Sequence, residues 1–295
     1  MIKPISISNN LFRFGLSFLF ISNPQLKNYL EMYEQERMSV IEYSFIYMNH
    51  FCLIFELMGA SLIKEIQENK FSGFPLVYVQ SVLKNILPML SSLSNLGLMH
   101  CDVKPENILK FGESFKLIDF GSCLFVANNS IFYVQSRFYR APEVALKIPF
   151  DSKVDVWSLG CVAVELFLGL PLFPARSEVH LSSLIEQTIG KYPEHMYRQS
   201  PRRDKLFSND GTIKSPTELC RDNDEDFATE FQPYFTKTKL LDILDSYETE
   251  GDENNGHNRE LFIDLVNKML KIDPEERISA DSALNHPFFD IRFTS

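Results

Sequence analysis

The sequence predicts an α+β fold in which helices predominate, and three observations support this class. The apolar run FCLIFEL at 51–57 fits a short buried strand. Apolar residues recur every three or four positions along 76–96, which is the stripe of an amphipathic helix. The segment 154–168 is apolar nearly all round, as expected of a helix in the middle of a core.

The remaining elements are less sharply defined. Residues 1–50 are rich in aromatic side chains and give no clear signal beyond a predicted helix at 25–38, whereas Gly97 is placed to end the helix over 76–96. From 201 to 259 the chain is polar and acidic, which predicts an irregular insert, most simply a solvated surface loop. A helical pattern then returns at Leu261, Phe262, Leu265, Met269 and Leu270.

Composition limits the classes of function. The 295 residues carry a formal net charge of −10, which argues against general binding to nucleic acids or anionic membranes and favours a protein partner with basic segments. The five cysteines form no CxxC pair and no cysteine–histidine ligand spacing, so we expect no disulfide framework, no zinc site and a reducing compartment. The apolar run at 15–21 is too short for a membrane span and a poor signal peptide.

Two polar motifs stand near the middle of the chain, HCDVKPEN at 100–107 and DFG at 119–121. A lone aspartate is more often a turn or helix-cap residue, but DxKxxN and DFG together at this spacing form a specific pattern. Both motifs resemble those of eukaryotic protein kinases. The resemblance implies a bilobal fold, with a mostly helical large lobe and a reduced, β-containing small lobe.

The resemblance also implies catalytic roles that agree with the charges of these side chains. Asp102 would accept or orient the proton of the substrate hydroxyl, and Lys104 would contact the transferring phosphate. Asn107 and Asp119 would supply the hard oxygen ligands that Mg²⁺ prefers, shared with phosphate and water oxygens. The implied cofactors are therefore ATP and Mg²⁺, and the implied substrates are proteins.

Further motifs follow in the order found in kinases. APE at 141–143 closes the activation segment, DVWSLG at 155–160 opens the helix that anchors the catalytic loop, and HPFF at 286–289 resembles the terminal signature. Arg277 stands where kinases place the arginine that pairs with Glu143. The last motifs thus predict a specific buried contact as well as a family.

Two features narrow the resemblance to a subgroup. Cys101 replaces the arginine that most kinases place before the catalytic aspartate, and the activation loop reads YVQSRFYRAPE at 133–143. Both features resemble the dual-specificity tyrosine-regulated and homeodomain-interacting kinases of the CMGC group. In that subgroup the tyrosine matching Tyr133 autophosphorylates, and arginines matching Arg137 and Arg140 hold its phosphate. The alternative is that Tyr133 is simply a packed aromatic residue.

The subgroup's substrates carry serine or threonine, usually followed by proline. The insert at 201–259 occupies a position where related kinases dock partners, and its sequence also loosely resembles the Cdc-like kinases. We expect a monomer inside the cell, in the cytoplasm, the nucleus or both, without direct nucleic-acid or membrane binding.

The nucleotide site is incomplete in the sequence, because no GxGxxG occurs upstream of Phe51. Lys3 and Glu31 fall near the expected strand lysine and helix glutamate, although a frayed amino-terminal lysine and a solvated glutamate explain them as well. The remaining candidate contacts to the nucleotide are Glu56, Met58, Leu109 and Ile118.

The predicted organisation is a partial small lobe over 1–55, without the glycine-rich loop, and a large lobe over 56–295. Three interpretations stay open. The chain is an active kinase represented from an internal start, a lobe-deficient kinase with weak or no catalysis, or a pseudokinase-like scaffold that only binds. The joint presence of Asp102, Lys104, Asn107 and Asp119 favours catalysis, because a scaffold does not require all four.

Overall fold

The computed structural model describes residues 5–6, 41–48, 50–128, 133–215, 218–219, 234–247 and 256–293. Lys3, Glu31 and the predicted helix at 25–38 lie outside the described residues, as do three stretches of the insert, 216–217, 220–233 and 248–255. In the part that is described, helices predominate over short antiparallel strands. The predicted α+β class is confirmed.

A three-stranded antiparallel sheet opens the described chain, in the spatial order β1 (Ile5–Ser6), β3 (His50–Phe55) and β2 (Ile41–Tyr47). Strand β3 is the strand predicted at 51–57, although it ends at Phe55. Strand β2 is not predicted from the sequence, yet its residues IEYSFIY are β-branched and aromatic types that favour strands. The region 1–50 therefore contains a strand that its sequence pattern does not predict.

The helices, in chain order, are α1 (Leu62–Glu68), α2 (Leu76–Asn95), α3 (Pro142–Ala145), α4 (Lys153–Leu168), α5 (Glu178–Thr188), α6 (Glu194–Gln199), α7 (Arg203–Leu206), α8 (Leu240–Asp245), α9 (Gly256–Met269) and α10 (Ala280–Leu284). Helices α2, α4 and α9 confirm the helices predicted at 76–96, at 154–168 and around 261–270. Helices α7 and α8 correct the prediction of an irregular insert, because Leu206, Ile243 and Leu244 bury their side chains in the core.

Helix α4 lies at the centre of the core and packs against α2 and α9. Gly160 allows the close approach of α9, since a Cβ at this position would lie 3.0 Å from Cδ2 of Leu270. Helix α2 has the length and apolar composition of a membrane span, but 61% of its most apolar stretch is buried. Within the described residues it is therefore placed as a core helix.

Two small antiparallel ribbons position the two polar motifs. Strand β4 (Leu98–Met99) pairs with β7 (Leu124–Phe125), and β5 (Ile108–Phe111) pairs with β6 (Ser114–Leu117). The segment 100–107 runs from β4 to β5, and the segment 118–123 runs from β6 to β7. The pairing therefore brings both motifs to the same place in the fold.

The ion pair that the resemblance predicts between Arg277 and Glu143 is formed. The guanidinium donates to both carboxylate oxygens, at 2.6 and 2.9 Å, and both side chains are completely buried. Because Glu143 belongs to α3 and Arg277 follows α9, the pair ties the end of the activation segment to the carboxyl-terminal helices.

Candidate active site

The loop that carries the first motif is anchored to α4 by Asp155. Its carboxylate accepts hydrogen bonds from the backbone N–H groups of His100, at 2.6 Å, and Cys101, at 2.9 Å. Burial raises the pKa of Asp155 to about 7, although both hydrogen bonds oppose this shift. Cys101 has a φ of 63°, a left-handed conformation that costs energy for a residue with a side chain. Asp155 therefore helps to hold a strained loop in place.

His100 links the two motifs. Its Nδ1 accepts from the N–H of Asp102 at 3.2 Å, so Nε2 carries the proton and donates to the carbonyl of Ile118 at 3.1 Å. Its ring meets the ring of Phe120 edge-on, with centroids 5.0 Å apart. Complete burial lowers the pKa of His100 to about 4, so the imidazole is neutral at physiological pH.

The carboxylate of Asp102 is held by three side chains. Its Oδ2 accepts from Nδ2 of Asn107 at 3.0 Å and lies 2.8 Å from Nζ of Lys104. Its Oδ1 accepts from the hydroxyl of Ser136 at 2.8 Å. The side chain is 16% exposed, so the carboxylate is fixed in direction but still reachable. Such a group can hold a hydroxyl and accept its proton.

Ser136 is a site residue to which the sequence reasoning assigns no role. Its hydroxyl donates to Asp102 and accepts from Nζ of Lys104 at 3.0 Å, so it bridges the two residues of opposite charge. The only signal in the sequence is its place in the segment YVQSRFYRAPE, because the tertiary fold alone brings it to the catalytic loop. The hydroxyl thus joins the activation segment to the candidate catalytic pair.

Within the part of the chain that the structure describes, Asn107 and Asp119 have oxygen atoms left for a cation. The described bonds of the Asn107 side chain use only its Nδ2, and the exposed Asp119 carboxylate accepts only a 3.3 Å bond from the N–H of Gly121. The N–H of Ile118 donates to the carbonyl of Asn107 at 2.8 Å, which ties the two segments together. No cluster of three His, Cys, Asp or Glu side chains forms a metal site among the described residues. This donor set therefore fits Mg²⁺ that arrives with phosphate and water ligands, and not a cage made of protein alone.

The candidate adenine contacts lie beside β5 and β6. The carboxylate of Glu56 is paired with Nζ of Lys116 at 2.6 Å, and the Lys116 side chain is only 2% exposed. This pair occupies the Glu56 side chain, which is compatible with the backbone contact to adenine that the resemblance implies. The N–H of Gly59 donates to the carbonyl of Lys110 at 2.8 Å, so the chain after Glu56 and Met58 runs along β5, the strand of Leu109.

Tyr133 and the two predicted arginines belong to the activation segment, and Arg140 is the one that lies against Tyr133. Tyr133 is 75% exposed, which contradicts the alternative of a packed aromatic residue. The guanidinium of Arg140 lies 5.0 Å from the centre of the Tyr133 ring. Arg137 donates from Nη1 to the carbonyl of Arg176 at 2.5 Å, and its buried Nε has no hydrogen-bond partner among the described residues.

Gln135 is fixed in an unusual backbone conformation. Its φ is 62°, and its N–H donates to the carbonyl of Cys101 at 3.0 Å. Its side-chain amide donates to the hydroxyl of Ser158 at 2.8 Å and accepts from the N–H of Ala141 at 2.9 Å. Its carbonyl oxygen accepts from Nη2 of Arg140 at 2.8 Å. The carbonyl is thereby turned toward the protein and is already occupied.

Comparison with known proteins places this geometry in a family. The family model "Protein kinase domain" matches residues 24–289. Homeodomain-interacting protein kinase 2 of Mus musculus is 38% identical over 262 residues, which is 83% of this chain and 22% of that protein. Dual specificity protein kinase YAK1 of Saccharomyces cerevisiae is 35% identical over 267 residues, covering 83% of this chain and 33% of that protein.

A human relative completes the comparison. Dual specificity tyrosine-phosphorylation-regulated kinase 4 of Homo sapiens is 36% identical over 245 residues, which is 82% of this chain and 43% of that protein. The chain thus spans less than half the length of these curated relatives. The matched residues include both polar motifs, the buried Glu143 and Arg277, and the activation segment between them. The chain belongs to the protein kinase family.

Proposed function

We propose that this chain transfers the γ-phosphate of ATP to serine or threonine hydroxyls of protein substrates. One observation carries the proposal: Asn107, Lys104 and Ser136 together fix both oxygens of the Asp102 carboxylate. This arrangement requires residues from two separate segments of the chain. A purely structural aspartate would not need a cation, an amide and a hydroxyl converging on it.

The described side chains divide the work by charge. Asp102 holds the substrate hydroxyl and takes its proton, while Lys104 faces the phosphate oxygens as a positive point charge. Asn107 and Asp119 would hold Mg²⁺ with their side-chain oxygen atoms. Bound Mg·ATP supplies the phosphoryl group and the cation that neutralises phosphate charge. Glu56, Met58, Leu109 and Ile118 form the adenine side of the site, and Lys3 remains a proposal for the small-lobe lysine.

Proline after the phosphorylated residue is the finer part of the proposal. Ser136 lies beside Asp102, and on this basis we place the substrate residue that follows the acceptor over Gln135, the neighbour of Ser136. Because Arg140 occupies the carbonyl of Gln135, a substrate N–H at that point would be buried without an acceptor. Proline has no N–H and avoids this cost. The occupied carbonyl therefore favours serine–proline and threonine–proline substrates.

Phosphorylation of Tyr133 is a second finer proposal. The exposed phenol stands against Arg140, and Arg137 belongs to the same segment, so a phosphate on Tyr133 would gain charge-assisted hydrogen bonds and order the loop. Intact-mass and peptide mass spectrometry after incubation with Mg·ATP tests it. A single added phosphate on Tyr133 supports the proposal, and its presence only on other residues contradicts it.

The sequence over 1–55, proposed as a partial small lobe, leaves one alternative function. That alternative is a binding scaffold that uses the groove or the insert without turnover. The large lobe proposed over 56–295 would then dock protein partners at the insert, which we also propose for the active kinase. In either case the chain acts as a monomer inside the cell.

Nucleotide binding and transfer separate the kinase from the scaffold. The unfolding temperature of the full chain is measured with Mg·ATP, with ATP and EDTA, and for Asp119→Asn. If the chain is a kinase, nucleotide stabilises it by RT ln(1 + [L]/Kd), about 2.7 kcal/mol at a nucleotide concentration of a hundred times Kd. The part of this stabilisation that depends on Mg²⁺ should be lost in Asp119→Asn. The same samples are then assayed for phosphate transfer to a serine–proline peptide. If millimolar nucleotide gives no stabilisation and no phosphate transfer, catalysis by this chain is refuted.

A further inference from the structure

We propose that Glu178 is a positioning residue for the proline preference, and that Arg202 makes the insert part of the same device. The inference rests on the proposed function, because it explains how Arg140 is kept on the carbonyl of Gln135. Neither Glu178 nor Arg202 belongs to a catalytic motif. Among the described contacts, the Glu178 side chain binds Arg140 of the activation segment, and the Arg202 side chain binds Glu178.

Arg140 is a buried cation with one charged partner among its described contacts. It is 4% exposed. Its Nε donates to the carbonyl of Val134 at 3.0 Å, and its Nη2 donates to the carbonyl of Gln135 at 2.8 Å. Its Nη1 donates to Oε1 of Glu178 at 2.8 Å. The carbonyl groups set the direction of the guanidinium, and Glu178 balances its charge.

Glu178 is itself held from the other side. Its Oε2 lies 2.6 Å from Nη2 of Arg202, so one carboxylate is shared by two arginines. Glu178 stands in the first turn of α5, where the helix dipole favours a negative charge. Ser177 caps that helix by accepting from the N–H of His180 at 3.1 Å. The carboxylate is therefore fixed by both its helix and its partners.

Arg202 brings the insert into the network. It lies between α6 and α7, and its Nη1 donates to the carbonyl of Ala145 at 3.0 Å. The hydroxyl of Ser200 accepts from the N–H of Arg202 at 3.1 Å and donates to the carbonyl of Leu146 at 2.6 Å. The turn that carries Arg202 is thus tied to the end of α3 as well as to Glu178.

Loss of the Glu178 charge has a specific consequence for substrate choice. A buried guanidinium without a counter-charge is unfavourable, so Arg140 moves toward solvent or toward Tyr133. The carbonyl of Gln135 then becomes free to accept a substrate N–H. Substrates with alanine after the acceptor gain a hydrogen bond, whereas proline substrates gain nothing. The loss of the Glu178 charge therefore lowers the ratio of kcat/KM for proline substrates to kcat/KM for alanine substrates.

The test compares Glu178→Gln and Arg202→Gln with a matched control, Arg198→Gln. Arg198 forms an exposed ion pair with Glu194 in α6 and has no described contact with Glu178. Two synthetic peptides differ only in the residue after serine, proline in one and alanine in the other. The readout is the ratio of kcat/KM for the two peptides, and the ratio of their Kd values serves if turnover is too slow. All four proteins are compared with Tyr133 unphosphorylated, which mass spectrometry verifies, because a phosphate there would itself balance the charge of Arg140.

We expect Glu178→Gln to reduce the proline-to-alanine ratio about tenfold, mainly through a better alanine peptide, because one unpaired buried N–H is worth about that factor. Arg202→Gln reduces the ratio less, and Arg198→Gln leaves it unchanged. An unchanged ratio in folded Glu178→Gln, or an equal loss for both peptides, overturns the inference. If Glu178→Gln does not fold, an unchanged ratio in Arg202→Gln overturns it. A wild-type ratio of one instead refutes the proposed proline preference itself.

Discussion

The Arg277–Glu143 pair offers a quantitative test of the fold that supports the active site. Arg277→Met removes the cation and keeps a side chain of apolar volume beside Trp157, which now lies 5.2 Å from the guanidinium. Glu143 is left fully buried without its partner, and the carbonyl of Lys271, a 2.9 Å acceptor, loses a donor. The variant therefore creates an uncompensated buried charge in the middle of the large lobe.

The expected loss follows from that burial. Removing one partner of a buried pair destabilises by about 3–5 kcal/mol, which is a large share of the 5–15 kcal/mol that is typical of a folded domain. Lys64→Met is the matched control, because Lys64 and Glu68 form an exposed pair at 3.6 Å that we expect to contribute less than about 0.5 kcal/mol.

Urea unfolding followed by circular dichroism measures both variants at the same pH. The double variant Glu143→Gln/Arg277→Met should lose at least about 1 kcal/mol less than the sum of the two single variants, because the two residues share one interaction. A loss below about 1 kcal/mol for Arg277→Met would show that the pair does not carry this role. Additive single losses would refute the coupling.

The remaining predictions concern the site and the core around it. Ser136→Ala should lower kcat about 10- to 100-fold, which is the worth of one hydrogen bond to a charged group. Ser136→Thr should restore most of the rate. Equal kcat for Ser136→Ala and the wild-type chain would show that Ser136 has no role in the site. Burial raises the pKa of Glu165 to about 7, so the folded state retains a proton that the unfolded chain releases above about pH 4.5. Wild-type stability should fall relative to Glu165→Gln by up to about 3 kcal/mol between about pH 5 and 8, and a pH-independent difference in urea unfolding would contradict this. Gly160→Val should lower the free energy of unfolding by about 1–3 kcal/mol, because the valine side chain would contact Leu270 too closely. An unchanged free energy in the same assay would show that α9 shifts to admit the larger side chain.

Much of the large lobe can be predicted because periodicity and motif agree there. Helices α2 and α4 carry long apolar patterns that predict helices, and Arg277 could be paired with Glu143 from the motifs alone. Strand β2 escaped prediction because a short aromatic segment has no period long enough to separate a strand from other structure. The short helices of the insert were not predicted because each has only a few apolar residues within a polar stretch.

The candidate site divides in the same way. Asp102, Lys104 and Asn107 lie within one short motif, so their proximity follows from local sequence. Ser136 is 34 residues from Asp102 and carries no chemistry of its own in the sequence. Its role depends on the left-handed turn at Gln135, which only the tertiary contacts fix. Sequence reasoning therefore finds the reactive groups more readily than the residues that aim them.

The most direct measurement of the central proposal is the initial rate of phosphate transfer from Mg·ATP to a serine–proline peptide, for the full chain and for Asp102→Asn. The variant retains the size of the side chain and a hydrogen-bond acceptor but loses the negative charge that takes the proton. We predict transfer by the wild-type chain and a rate at least about 100-fold lower for the variant, with an unchanged unfolding temperature. Equal rates for the two proteins, or no transfer by a wild-type chain that binds Mg·ATP, would contradict the proposal.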